Sequence, residues 1–325
     1  MTYNRTLHGR FVSGRYTPII LVVMSSLLML SAIWFPDLVA SEILQPSEPP
    51  FLDSAVSRIL SAVLFALAAF VISRQTFFDK RVHWKGALYM WLVAISLFAN
   101  GNIVIAFVSL LYVLSVALLF AAQHSVAPVG QLFTSFMLLG VLALVTPFLL
   151  YLIPLYIAFI FLANIFSVRN IAASILGLAT PFWLVMGSAY VFPQVGELSR
   201  AFTDGLPWLF EFSAPEYSTS SLLVLVLVIL LLFPAAVSFM GSASPSKPLL
   251  RRRFSYIIVT SIYLLLLSCF VAGGSALFYF LMLPGLAVTA SYIFSMKVTR
   301  MSNIFFIIVN VIMLAIATHT LWLKH

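Results

Sequence analysis

Asp37, Glu42, Glu48 and Asp53 stand within one polar stretch of the chain, and Glu197, Asp204, Glu211 and Glu216 within another. Carboxylates at this density do two kinds of work. One acts as general base on an acceptor hydroxyl, or several hold a divalent metal that grips a diphosphate. Asp37 and Glu42 are the candidate catalytic residues, because they lie nearest the end of the first apolar run, where the membrane fixes the backbone. Glu48 is flanked by Pro46, Pro49 and Pro50, which hold it on an extended, solvated segment. The competing reading makes all of these solvated loop acids, with Asp53 as the N-cap of a helix that begins at Ser54.

Other chemistries find fewer residues. Among His8, His83, His124, His319 and His325, no two have the spacing that sets two ligands on one helical face. Cys269 is the single cysteine and lies inside an apolar run, so a cysteine-based metal site and an intramolecular disulfide are excluded. There is no GxSxG elbow, GxxxxGK loop or GxGxxG fingerprint, and Gly273-Gly274 reads as a turn. No cofactor is indicated. Lys247 and Arg251 to Arg253 would attract anionic headgroups or an acidic partner, at about 1 kcal/mol per cation near a charged surface. The simpler reading is a retention signal ahead of an apolar run.

The elements that must position the acids are membrane helices. With 63% hydrophobic residues, 8% charged and a mean hydropathy of +1.13, the 325-residue chain is far from a soluble globule, where about a quarter of residues are charged. Eleven apolar runs follow one another, at 18–35, 55–73, 86–99, 103–122, 131–146, 148–166, 171–192, 220–240, 255–272, 275–295 and 303–322. The run 148–166 carries no charge and spans roughly 28 Å as a helix, about one hydrocarbon core. The expected fold is all-α: a polytopic bundle of about eleven spans, forming one integral membrane domain over residues 1–325. Two places leave the count open. The run 86–99 is short and ends at Asn100-Gly101-Asn102, and Thr146-Pro147 would either kink one helix or separate two.

Charge placement gives the orientation. With the amino terminus inside, every Lys and Arg falls on the inner side except Arg58, Arg200 and Lys324, and every acid except Asp79 falls outside. The basic residues occupy short turns rather than a groove, so membrane lipids and not nucleic acid are the expected partners. Trp34, Trp84 and Trp322 fall near span ends, the depth of an interfacial belt, whereas Trp91 and Trp183 fall inside runs. No Asp, Glu, Lys or Arg lies deep inside a span, which argues against ion-coupled transport. Asn164, Asn310, Thr260, Thr289 and scattered serines are expected to hydrogen-bond neighbouring helices.

Trp34-Phe35-Pro36, Asn100-Gly101-Asn102, Pro154-Leu155-Tyr156, Arg169 and the run Gly177 to Phe182 occur in an order that resembles an uncharacterised Bacteroidetes family of polytopic inner-membrane proteins. That resemblance covers most of the first two hundred residues and implies membrane placement without a reaction. The chain is also similar in architecture to membrane glycosyltransferases that use polyprenyl-phosphate sugars, whose first outer loop carries a catalytic acid. Asp37 or Glu42 matches by position, while the paired-acid signature of those enzymes is absent here. The resulting expectation is a multi-pass protein of the bacterial inner membrane and cell envelope. It would act as a lipid-linked glycan or lipid transferase on a polyprenyl-linked substrate, or as a non-enzymatic assembly subunit bound to other envelope membrane proteins.

Overall fold

The computed structural model describes residues 16–34, 54–76, 84–96, 103–189, 196, 200, 202–203, 219–240, 248–271, 275–295 and 300–322. Eleven α-helices of ten residues or more lie among the described residues. They are α1 (Thr17–Trp34), α2 (Ser54–Arg74), α3 (Lys85–Ser96), α4 (Ile103–Ala122), α5 (Val129–Val145), α6 (Ile153–Leu162), α7 (Val168–Ala189), α8 (Thr219–Met240), α9 (Pro248–Phe270), α10 (Ser275–Ser295) and α11 (Arg300–Trp322). A 3₁₀ segment, Pro147–Leu152, leads into α6, and no strand occurs among the described residues. Among the described residues five stretches are long and apolar enough to cross a bilayer: Val56–Arg74, Ile103–Ala122, Val168–Ala189, Pro248–Phe270 and Leu277–Phe294. On that ground the chain is a helical membrane protein.

The chain packs as two compact units. The first comprises Met1–Phe107, Glu216–Leu265 and Tyr279–His325, and the second Val108–Pro215 and Leu266–Phe278. In the first unit α3 is the centre on which α1, α2 and α11 pack, and every described residue of α3 except Trp91 is buried. Its 12 described residues rise about 18 Å. Gly86 makes its contact with α2 possible, since a Cβ there would strike the Ala69 carbonyl. α10 is buried from Phe280 to Phe294, as expected of a helix that is apolar on every side. Phe294 stacks on Trp84 with centroids 5.8 Å apart and meets Phe306 edge-on at 5.1 Å. Trp84 therefore packs in the core, not in an interfacial belt, because Phe294 stacks on it and it is buried.

In the second unit α5 and α7 meet backbone to backbone. A Cβ on Gly177 would strike the Phe133 carbonyl, and one on Gly140 would stand 2.6 Å from the Leu178 oxygen and 3.0 Å from Pro181 Cγ. Contacts climb in the same sense on both helices, 133 against 177 and 140 against 181, so α5 and α7 run parallel. The segment between them must reverse. Thr146 supplies the break, with φ −143° and ψ 109°, the extended geometry that a following proline imposes. Tyr156 on α6 then meets Phe136 on α5 edge-on at 5.5 Å. Thr146-Pro147 thus separates two antiparallel elements and does not kink one.

The same unit shortens the run 148–166. Helical geometry ends at Leu162, and Asn164 takes φ 57°, a left-handed conformation that asparagine tolerates better than most residues. Ile165 N–H donates to Ile160 O at 3.2 Å and Asn164 N–H to Phe161 O at 3.0 Å, the paired bonds of a Schellman terminus. Ser167 Oγ accepts from Asn170 N–H at 3.2 Å and caps α7.

Polar groups inside the bundle mostly bond within their own helix, which corrects the expectation of interhelical contacts. Thr289 donates to Leu286 O at 3.0 Å and Asn310 to Phe306 O at 2.8 Å, while Asn164 terminates α6. The interhelical case is Ser115 on α4 with Ser135 on α5. Each hydroxyl donates to the other residue's carbonyl, at 2.7 and 2.9 Å, and both side chains are fully buried.

Candidate functional site

Asp37 and Glu42 lie outside the described residues, and so do Glu48, Asp53, Asp79, Glu197, Asp204, Glu211 and Glu216. The structure fixes only the helices that flank the first group of acids in the sequence: α1 runs to Trp34 and α2 begins at Ser54. Among the described residues no three of His, Cys, Asp and Glu gather in a metal-binding group.

The charged groups that the structure does bring together are cations, at the carboxyl end of α2. Lys85, the first residue of α3, is 4% exposed and its Nζ donates to the Gln75 carbonyl. Arg253, in the first turns of α9, is 3% exposed and its guanidinium donates to the Thr76 carbonyl at 3.4 Å. Two helices therefore pin the same turn through consecutive carbonyls. The terminal carbonyls of a helix carry its negative dipole end, so cations offset there part of the cost of leaving water. Burial nevertheless holds the Lys85 amine down at about 8, against an ordinary 10.5. Lys85 precedes the apolar run 86–99 and stands outside it.

Exposed cations flank this pin. Arg74 ends α2 with its guanidinium 4.9 Å from the centroid of the Phe70 ring, and Arg251 is exposed on α9 two residues before Arg253. Arg252 is half-buried. The sequence presents Arg251 to Arg253 as one signal, whereas the fold divides it into an exposed, a half-buried and a buried residue. The only hint of that division is helical periodicity, with Arg253 sharing the buried face of Phe254, Tyr256 and Ile257.

A second feature lies wholly in the second unit. A groove of about 170 Å³ runs between α5, α6 and α7, walled by Phe136, Ile157, Ile160, Phe161, Phe166 and Ile175. Ser174 is its one hydroxyl, and that group donates to Asn170 O at 2.9 Å. Arg169, the nearest cation in sequence, sits about half a turn around α7 from Ile171, Ile175 and Leu178. The groove is therefore apolar throughout and suited to hydrocarbon, not to a charged group.

The chain matches no protein-family model, no curated protein and no solved structure. Its functional reading rests on its own residues.

Proposed function

We propose that the chain is a multi-pass protein of the bacterial inner (cytoplasmic) membrane, with eleven spans and its amino terminus inside, and that it acts at the outer face as a lipid-linked envelope glycan or lipid transferase. Asp37 and Glu42 are the residues assigned to the chemistry, as general base or as holders of the substrate's phosphate through a metal. The supporting observation is the end of α1 at Trp34: Asp37 follows three residues later, on backbone tethered to a helix at interfacial depth. A carboxylate that works on a lipid-linked phosphate must stand at that depth.

Orientation is tested first. Single cysteines at Ser213 and Ser246, in the Cys269→Ser background, are expected to label from outside at 213 and from inside at 246; the reverse pattern would overturn the topology. The chemistry is tested by Asp37→Asn and Glu42→Gln beside Glu48→Gln, in a strain lacking the native copy. Growth or the envelope-glycan profile should fail for the first two and hold for the third, at equal membrane abundance. Full complementation by all three would end the transferase reading.

The second reading, a non-enzymatic assembly or interaction subunit, draws support from the groove. Its lining is apolar, and on the same orientation Phe161, Phe166 and Ile171 of that lining flank the cytoplasmic turn that holds Arg169. That turn is on the side away from Asp37 and Glu42, so an outer-face reaction gives the groove no role. A hydrophobic helix of a partner protein would fill it.

A further inference from the structure

We propose that two copies of this chain associate through α11, with Asn310 of each copy hydrogen-bonded to Asn310 of the other. α11 runs from Arg300 to Trp322, so Asn310 stands about 15 Å from its first residue and about 18 Å from its last. As a span, α11 sets that carboxamide near the middle of the hydrocarbon layer. Phe306, Val309 and Met313 are buried in the first unit, whereas Ile307, Asn310 and Val311 are exposed. The amide therefore faces lipid, at the depth where an unpaired polar group is most costly.

The chain itself meets part of that cost. One N–H of the side chain donates to Phe306 O at 2.8 Å, and among the described residues the amide meets no other partner. A carboxamide has two N–H donors and a carbonyl oxygen, so one donor and the acceptor are left over. Those two groups are self-complementary. Copies inserted in the same sense are related by a two-fold axis along the membrane normal, which sets identical residues opposite each other at one depth. The spare N–H of each amide then donates to the carbonyl of the other, and two reciprocal bonds complete both side chains. A different protein needs an amide of its own at this depth, whereas a second copy has one by identity. Ile307, about a turn before Asn310 on the same side, packs beside the pair. Ile308 lies about 160° around the helix and stays in lipid. The inference rests on the reading of α11 as a span, and it is independent of any role for Asp37 and Glu42.

The test places the purified full-length chain, labelled at its amino terminus with a donor or an acceptor dye, in phosphatidylcholine vesicles. Energy transfer is followed as the protein is diluted in lipid. The wild type should associate, and Asn310→Leu should need about tenfold more protein per lipid to reach half-association. Leucine turns an apolar side chain to lipid, so the variant should fold; Asn310→Gln keeps the amide and should retain most of the association. In the Cys269→Ser background, oxidation should join Ile307→Cys into a disulfide-linked dimer and leave Ile308→Cys monomeric. A wild type that is monomeric at every dilution overturns the proposal, and so does an Asn310→Leu variant that associates like the wild type or equal cross-linking at 307 and 308. Val311→Cys shows which premise has failed in the monomeric case. Protection from a membrane-impermeant maleimide would leave α11 a span and refute the interface alone, whereas labelling would overturn the span and the interface together.

Discussion

Gly177→Leu is expected to abolish recovery of a folded chain, the largest single-residue effect in the second unit. Even a methyl group at 177 would meet the Phe133 carbonyl inside contact distance, and the Phe133 carbonyl carbon at 3.0 Å. Those atoms are backbone and cannot swing aside as a side chain can, so α5 and α7 would have to part. Separation would undo the matching contact of Gly140 with Leu178 and Pro181, because both glycines serve one crossing. In a helix interior Gly→Ala ordinarily stabilises by about 1 kcal/mol, which makes the sign of the alanine variant diagnostic. Gly177→Ala should destabilise, by roughly 1–3 kcal/mol as overpacked cores do. Gly187→Ala, on the same helix with nothing within 4 Å of its built Cβ, should be neutral or stabilising. The measurement is the fraction of monodisperse protein after detergent extraction and its temperature of half-loss. Wild-type behaviour by Gly177→Leu would mean that α5 and α7 do not meet at this crossing.

That crossing also shows what the sequence makes legible. The run Gly177 to Phe182 stands out by residue type, and its glycine and proline both lie against α5, but nothing in the one-dimensional order names Phe133 or Gly140 as partners. Helix existence reads well because apolar runs of the right length are the dominant signal: each of the eleven runs overlaps one of the eleven described helices. Boundaries read less well where backbone chemistry acts inside an apolar stretch. Asn164 ends α6 by adopting a left-handed conformation, and hydropathy does not see a sign of φ. The separation at Thr146-Pro147 follows from the proline, yet whether the chain kinks or reverses is settled by the parallel packing of α5 on α7.

The cationic end of α2 was legible only as charge. Positive residues gather at turns for reasons of topology, and that statistical rule is blind to which of them are buried. Lys85 and Arg253 are drawn in because Gln75 and Thr76 follow the last turn of α2 and offer carbonyls at its negative pole. The acids are legible as a composition, and α1 is described up to Trp34, three residues before Asp37, whereas the acids themselves lie outside the described part of the chain.

Raising the pH from 7 to 10 is expected to stabilise the wild-type chain relative to Lys85→Met. The amine of Lys85 is held at about 8 in the fold by burial and stands near 10.5 when unfolded. Below pH 8 it is charged in both states, and the folded state bears the full cost of its desolvation. Between about 8 and 10.5 the folded chain sheds the proton while the unfolded chain keeps it, so unfolding takes up a proton and stability rises with pH. The displacement is worth about 3 kcal/mol when complete, or roughly 5 °C in the unfolding midpoint. Methionine keeps the length of the side chain and removes the titration, and groups that titrate in both proteins cancel in the difference. Midpoints for the two proteins in one detergent, at pH 7, 8, 9 and 10, should diverge in favour of the wild type, with most of the change above pH 8. A lysine stabilised by a carboxylate would behave in the opposite way: its amine would be raised, and its contribution would be lost as pH climbed through that higher value. A difference that stays flat or moves against the wild type would therefore show that Lys85 is held by a charge partner rather than buried at the cost of its own proton.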